Sequence, residues 1–466
     1  MHTQHVHDRA YGFTPQHVLQ RAVASSLVYA LHPSPALTFS QHLPPPSDPY
    51  ARVPAHASGV NALTVDRFEG RYLLSGGADS SIRIWDLEAS TAKTATGEAH
   101  LALSAAGKAR GSKGLGITQI AFYPFDSLAF LSSSYDHTVK LYSSETLVAS
   151  AEFDLDAVVY DIALSPIASH LLVACATQHP NVRLVDLRSG ATTHSLAGHA
   201  GAVLATAWSP VREHILVSGA ADGSVRFWDV RRSVGELGVL DLEDSVGAGV
   251  LGHKTRSSAS YVSRAVPKQA HKGPVNGITW TQDGRHLVTC GHDARIRVWD
   301  TSTGANTLAN FGPMVRNSGL SPRIPILAPA QYVQPGADVM FYPNGPEILV
   351  YELFDGKLIR RLRRPNNNMS NTAAAAAAAN TKPQVQAKDA ITSLAWRPHH
   401  VEMFSAHADG SIAAWQPRTE QDAELDEEEE IEREEREGEK KRKRGILDEI
   451  YQGLTKKQIT FGNMGV

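Results

Sequence analysis

The sequence predicts an all-β chain, a seven-bladed β-propeller with an N-terminal helical segment and a charged, partly helical C-terminal tail. Three observations carry this. A phrase made of an apolar strand, a tight turn with Asp and an alternating strand ending in an aromatic residue returns along the chain. It reads LLSGGADSSIRIWDL at 73–87, FLSSSYDHTVKLYSS at 130–144, LVSGAADGSVRFWDV at 216–230, LVTCGHDARIRVWDT at 287–301 and MFSAHADGSIAAWQP at 403–417. The residue that closes each strand pair gives seven marks, Trp85, Tyr142, Val185, Trp228, Trp299, Tyr351 and Trp415. A period of roughly forty residues is that of four-stranded sheets arranged radially.

The phrase is the WD-repeat signature, and the elements follow from it in order. Steps between marks are close to one blade around Val185 and longer where the chain is rich in Gly, Ala, Ser and Pro. The stretches 89–115, 235–269, 312–335 and 365–387 therefore read as loops inserted between strands. The last holds an unbroken alanine run from Ala373 to Ala379, with a short helix or a disordered insert as its readings. Residues 1–50 form a lead-in, 51–417 the propeller and 418–466 an acidic-basic tail.

Within blade 4, His199, Ser218, Asp222 and Trp228 are spaced to form a chain from indole N–H through hydroxyl and imidazole to carboxylate. Such a chain satisfies polar groups that burial would otherwise leave unpaired. Blade 1 repeats the spacing with His56, Ser75, Asp79 and Trp85, and blade 5 with His271, Thr289, Asp293 and Trp299. Blade 7 keeps Ser405, Asp409 and Trp415 without a His at the matching place. Blade 3 lacks the set, and blade 6 is recognisable only from FYPNGPEILVYELFDGK at 341–357.

Composition bounds the function. The chain has 466 residues, a formal net charge of -3, two Cys and 42% hydrophobic residues. Near-neutral charge argues against a domain-wide or sequence-specific nucleic-acid face. Few Cys, no apolar run long enough for a bilayer and no secretory start lead to the expectation of a soluble intracellular protein without membrane contact. Cys175 and Cys290 fall at second-strand positions and read as small buried thiols. His2, His5 and His7 cluster near the terminus, where a metal role and mere incidence both remain open. No phosphate-cradling loop, nucleophile elbow or Cys/His quartet is present, and the repeated His and Asp are absorbed by the blade chains. The expectation is a non-enzyme with no cofactor and no metal.

Charge is segregated at the C-terminus. Residues 420–439 are dominated by Glu and Asp, then Lys440, Lys441, Arg442, Lys443 and Arg444 follow without a break. The acidic stretch reads as a solvated helix or tail, and the basic run as a nuclear-import signal, with nucleic-acid contact or solubility as alternatives. Ile446, Leu447, Ile450, Tyr451 and Leu454 recur at helical spacing.

Two consecutive third strands end alike. Blade 4 reads Trp228-Asp229-Val230-Arg231-Arg232 and blade 3 reads Val185-Asp186-Leu187-Arg188, whereas Glu88 and Ser302 take the Arg position in blades 1 and 5. Both Arg side chains should leave the same rim one blade apart. A guanidinium fixed by the neighbouring Asp suits carboxylates or carbonyls of a partner, and two solvated arginines are the plainer reading.

EGRYLLSGGADSSIRIWDLE at 69–88, FYPFDSLAFLSSSYDHTVKLY at 122–142, WSPVREHILVSGAADGSVRFWDVRR at 208–232 and STGANTLANFG at 302–312 resemble the family of the Cockayne syndrome group A protein. The resemblance covers roughly residues 8–417 and includes turns as well as strand cores. It implies a substrate receptor of a cullin-4 RING ubiquitin ligase in transcription-coupled nucleotide excision repair, located in the nucleus. Its implied partners are the large damaged-DNA-binding adaptor subunit, a Swi/Snf-type repair translocase and stalled RNA polymerase II. Asp229, Arg231, Asp186 and Arg188 would then touch the adaptor. So would an N-terminal helix around Thr14 to Leu31, on whose face Val18, Leu19, Ala22, Val23, Ser26 and Leu27 fall together. Thr14-Pro15 would start that helix and His32-Pro33 would end it. A helix that only packs beneath the propeller is the alternative. A cullin-4 receptor for another nuclear substrate, or a WD-repeat scaffold in chromatin or RNA processing, remains a competing function. The acidic-basic tail is not part of the family pattern.

Overall fold

Seven sheets are arranged as a β-propeller, and each of the seven marks lies on the third strand of one sheet. The computed structural model describes Tyr11 and residues 16–418, apart from 36, 46–52, 95–96, 108–114, 168, 191, 233–234, 243–267, 320, 335 and 365–388. Blade 4 shows the plan: Val203–Trp208, Ile215–Ala220, Val225–Asp229 and Glu236–Val239 pair antiparallel in sequence order. First strands of neighbouring blades touch around the axis. The second strands are buried nearly end to end, as in LVACAT of blade 3 and LVSGA of blade 4, because they are covered by a blade on each side. Four fully buried indoles, Trp85, Trp228, Trp299 and Trp415, fill the spaces between blades.

The ring closes with a strand from the other end of the chain. A helix, α1, spans Gln16–Tyr29, and Leu31–Pro33 then pairs antiparallel with Ile412–Pro417 as the outer strand of blade 7. Leu37–Ser40 continues onto blade 1, lying parallel to Gly97–Ala106. The lead-in 1–50 is thus partly propeller. The helix ends at Tyr29 rather than at His32-Pro33, because Leu31 and Pro33 are needed opposite Pro417 and Trp415. Thr14-Pro15 lies outside the described residues.

Three of the supposed inserts carry strands. Ala92–Thr94 and Gly97–Ala106 lie inside 89–115, Glu236–Val239 inside 235–269 and Ile326–Leu327 inside 312–335. The strands in the first two inserts are outer strands rich in polar and small residues, so composition alone disguised them as loops, whereas Ile326–Leu327 is only two residues long. The stretch 365–387, with its alanine run, falls outside the described residues. Blade 6, weakest as a repeat, is a sheet of Ile326–Leu327, Val339–Asn344, Glu347–Glu352 and Leu358–Arg363. Blade 5 has three strands among the described residues, with only Trp299 bridging to Asn306 where a fourth would run.

A buried carboxylate ties three blades together. Asp161, on the first strand of blade 3, accepts from the Thr206 N–H of blade 4 at 2.9 Å and from Gln119 Nε2 of blade 2 at 3.4 Å. It has no cationic partner in these contacts, and burial pushes its pKa up to about 6. Burial likewise raises the Cys175 and Cys290 thiols, which keeps them protonated and inert. The chain divides into two compact units, Met1–Pro417 and Arg418–Val466; the tail from residue 419, including Lys440 to Arg444 and the apolar series 446–454, lies outside the described residues.

Candidate functional site

The buried His and Asp residues are committed to the blades. In blade 1, Trp85 Nε1 donates to Ser75 Oγ at 2.8 Å, His56 Nε2 meets the same hydroxyl at 2.7 Å, and His56 Nδ1 faces Asp79 at 3.3 Å. Blade 5 repeats this through Trp299, Thr289, His271 and Asp293 at 2.9, 2.8 and 3.0 Å. In blade 4, Trp228, Ser218 and His199 are joined at 2.7 Å each, but His199 Nδ1 meets Ser224 Oγ at 2.8 Å and Asp222 only at 3.6 Å. Blade 1 has the same hydroxyl relay, Ser81 Oγ lying 2.9 Å from His56 Nδ1 and donating to Asp79 at 2.6 Å, so the blades differ in how near the carboxylate comes to the imidazole. Blades 1 and 5 place Gly77 and Gly291 beside the pair, where a Cβ would collide with imidazole and carboxylate. Blade 4 has Ala220 at that position, and its carboxylate stays farther from the imidazole. Burial opposes ionisation of Asp79, Asp222 and Asp293, yet hydrogen bonds from the His and neighbouring groups hold all three well below the usual carboxylate range.

Blade 7 does have its imidazole, from another address. Trp415 Nε1 donates to Ser405 at 2.8 Å, and Ser405 meets His407 Nε2 at 2.9 Å. His407 occupies the position held by Gly77, Ala220 and Gly291 in the other blades. A search for His upstream of the first strand missed it; the HAD triplet in place of GAD was the available signal. Burial pushes its pKa down to about 4, so it is a neutral hydrogen-bonding group.

The exposed chemistry lies where third strands end. Asp229 is buried, at 2% exposure, while the Arg231 side chain bonded to it is 62% exposed. Arg231 donates through Nε to Asp229 Oδ1 at 3.0 Å and through Nη2 to Oδ2 at 2.9 Å. The fork holds Asp229 below its ordinary pKa and raises that of Arg231. Arg232 adds a longer contact at 3.4 Å. In blade 3 the carboxylate works differently: Asp186 accepts from the Arg188 backbone N–H at 2.9 Å and from Ser189 Oγ at 3.0 Å, and Arg188 stands exposed. A guanidinium fixed in one orientation recognises a planar or carbonyl partner at lower entropic cost than a loose one.

A third guanidinium on this rim escaped the repeat pattern. Asp86, the blade 1 counterpart of Asp229, is gripped by Arg71 through Nε at 3.1 Å and Nη2 at 2.7 Å. Arg71 comes from the turn between the first and second strands and stays 40% exposed. Inspecting only the residue two places after Asp86 finds Glu88, whereas the partner is fifteen residues upstream.

The helix stands on the same side of the disc. Leu31 lies opposite Pro417, so α1 sits beyond the end of the blade 7 third strand, the end from which Arg231 and Arg188 leave their blades. Val28 is buried, Ser25 Oγ donates to the Tyr332 carbonyl at 3.1 Å, and Arg360 Nη1 donates to the Tyr29 carbonyl at 3.2 Å. The opposite arc leaves Val23 and Leu27 exposed, and Val18, seven residues before Ser25 and so on its side of the helix, is exposed near the helix start. Helix packing on the propeller and an outward apolar face thus coexist. Nothing is described of the Leu19 side chain.

Among the described residues no group of three or more His, Cys, Asp and Glu is placed to hold a metal, and no helix is long and apolar enough to cross a membrane. The family model for the WD domain, G-beta repeat, matches residues 47–86, 108–143, 190–229 and 265–300. WD repeat-containing protein ATCSA-1 of Arabidopsis thaliana is 34% identical over 326 residues, covering 58% of this chain and 72% of that protein. Ribosome biogenesis protein ytm1 of Aspergillus fumigatus is 26% identical over 275 residues, 54% of each chain. Radiation-sensitive protein 28 of Saccharomyces cerevisiae is 25% identical over 190 residues, 40% of this chain and 38% of that one. WD-repeat propellers act in general as non-catalytic scaffolds, and with its repeats, its seven sheets and these relatives the chain belongs to the WD-repeat family that includes ATCSA-1.

Proposed function

We propose that this chain is a non-catalytic substrate receptor of a cullin-4 RING ubiquitin ligase acting in transcription-coupled nucleotide excision repair. The single observation that carries the reading is the Asp229–Arg231 fork, whose orientation is fixed and whose guanidinium faces solvent. Arg188 and the outward face of α1 share that side of the disc, and the similarity to ATCSA-1 supports the same reading. In it, this side holds the large damaged-DNA-binding adaptor, while the other face engages a Swi/Snf-type translocase and stalled RNA polymerase II. The chain contributes position, raising the effective concentration of acceptor lysines near the ligase. Lys440 to Arg444 direct it to the nucleus.

The test is affinity for the purified adaptor. The reading expects binding by the whole chain and a loss of about tenfold or more for Arg231→Ala or Val23→Asp, with the unfolding midpoint unchanged. No binding by the wild-type chain overturns it. Truncation is a poor substitute, since removing residues 1–32 also removes buried Val28 and part of the strand that closes blade 7. A second reading, a WD-repeat scaffold in chromatin or RNA processing, draws on the similarity to ribosome biogenesis protein ytm1. It expects co-purification with pre-ribosomal particles instead of the adaptor.

A further inference from the structure

A pocket of about 480 Å³ opens between blades 4 and 5 and has no role in the blade chains. Its floor is apolar: Ile215, Phe227, Leu237 and Val239 from blade 4 and Trp280 from blade 5. The outer strands of blade 4 face a neighbour that contributes three strands among the described residues, and the turn Asp300–Gly304 bounds the space beside them. The floor is fixed before anything binds. Trp280 Nε1 donates to the Ala207 carbonyl at 3.3 Å, and its ring meets Phe227 edge-on with centroids 6.1 Å apart. The mouth is fixed as well, since Thr301 Oγ1 donates to the carbonyls of Gly284 and Arg285 at 2.9 Å.

Charge at the mouth is balanced. Asp283 and Asp300 face Arg212 and Arg285. Asp300 Oδ1 accepts from the Ser302 N–H and hydroxyl at 2.8 and 2.7 Å, and Asp283 accepts from Thr281 Oγ1 at 2.6 Å and the Arg285 N–H at 3.0 Å. With the carboxylates satisfied, the uncompensated property of the pocket is its apolar floor, and an apolar group gains most by entering.

The pocket is continuous with the Arg231 rim. The turn from Ser209 to His214 borders both: Val211 and Arg212 line the pocket, while the His214 carbonyl accepts from Val230 N–H at 3.1 Å and the Glu213 charge acts on Arg231. Val211 is 58% exposed at that boundary. We propose that the pocket is the anchor site for an aromatic or long aliphatic side chain of the protein that docks on the Arg231 rim. Interfaces concentrate their binding energy in such pre-formed apolar pockets beside fixed arginines. The inference rests on the adaptor reading given above and adds to it the chemistry of the group the adaptor must present.

The experiment measures adaptor affinity for the full chain and for Val211→Asp, Thr303→Trp and Arg231→Ala, with an unfolding midpoint for each. Val211→Asp places a charge at the mouth, and Thr303→Trp fills the opening from an exposed turn. Both are expected to weaken binding about tenfold or more while the midpoint stays unchanged. A photocrosslinking benzoylphenylalanine at position 303 of the otherwise wild-type chain is expected to label the adaptor, which keeps the test independent of either variant's folding. If the wild-type chain does not bind, the adaptor reading fails. If it binds, Arg231→Ala weakens it and the two pocket variants and the crosslink have no effect, the pocket proposal alone is overturned.

Discussion

The interior of the blades and the rim where third strands end are built from the same residue types, yet they do opposite things. Inside, Asp79 and Asp293 sit 3.3 and 3.0 Å from imidazoles that are wholly buried, and every polar atom of the Trp–hydroxyl–His series has a protein partner. At the rim, Asp229 is more buried than its interior counterparts, at 3% side-chain exposure against 17% for Asp79 and 10% for Asp293, but its partner Arg231 keeps 62% of its side chain in solvent. The buried carboxylate orients, and the exposed cation is left with donor capacity facing out. Burial of the partner, rather than residue type, separates stabilising from recognising groups. The comparison makes graded predictions.

The largest effect belongs to the interior. Ser218 Oγ is the shared partner of Trp228 Nε1 and His199 Nε2, both at 2.7 Å. Ser218→Ala leaves two buried donors or acceptors unpaired, each worth about 1–3 kcal/mol, so the variant should lose about 2–6 kcal/mol in urea unfolding. A loss no greater than that of an exposed surface substitution would show that these chains do not hold the blades.

Asp161 sharpens the contrast, because it is an interior carboxylate without a cation in its contacts. Its folded pKa of about 6 lies above the unfolded value near 3.9, so the protonated form is the one that folding favours. Its stabilising contribution is therefore complete below about pH 4 and is lost as pH rises to about 6. Asp161→Asn should remove that slope and gain on the wild type by the order of 2–3 kcal/mol across the window, read as unfolding free energy against pH. Equal slopes in both proteins would mean that the carboxylate titrates normally.

Blade 7 gives a smaller interior effect. His407 bonds Ser405 at 2.9 Å, whereas the Ser405 hydroxyl retains Trp415 when the imidazole is gone. His407→Ala should cost about 1–3 kcal/mol, less than Ser218→Ala, since one partner survives. With the folded pKa pushed down to about 4 and the unfolded value near 6.5, the difference from wild type should be flat above about pH 7.5 and should shrink as pH falls through about 6.5 toward 4.

The strand-turn-strand cores and the interior chains were legible in the sequence because the same chemical requirement recurs at fixed spacing. The mark at Tyr351 found blade 6 even where the phrase had decayed, since a buried aromatic fills the third-strand position there as Trp85, Trp228, Trp299 and Trp415 do in blades 1, 4, 5 and 7. Outer strands were not legible. Ala149–Asp154 and Glu236–Val239 leave nearly all their side chains exposed or half-buried, so no apolar pattern distinguishes them from loops. The closing strand Leu31–Pro33 is fixed by pairing nearly four hundred residues away, which no local window contains. At the rim, Arg231 was legible because its Asp is two residues upstream. Arg71 was not, because its Asp86 is reached through the fold.

The smallest stability effect is the one that most directly breaks or keeps the comparison. Arg231→Ala removes an exposed guanidinium, and Asp229 retains the backbone N–H of residue 231 at 3.1 Å and Arg232 at 3.4 Å. Exposed ion pairs contribute little to folding, and Arg188→Ala removes a side chain whose Asp186 is held by backbone and Ser189. Both variants should therefore unfold at the wild-type midpoint in thermal and urea scans. Asp229→Ala is the matched control: it strips the turn of the acceptor for Arg231 N–H and should lower the midpoint measurably. If Arg231→Ala falls as far as Asp229→Ala, the fork is a structural clamp like those inside the blades, and the division between interior and rim collapses. If it stays at the wild-type midpoint while binding is lost, Arg231 is a recognition group that the fold positions but does not need.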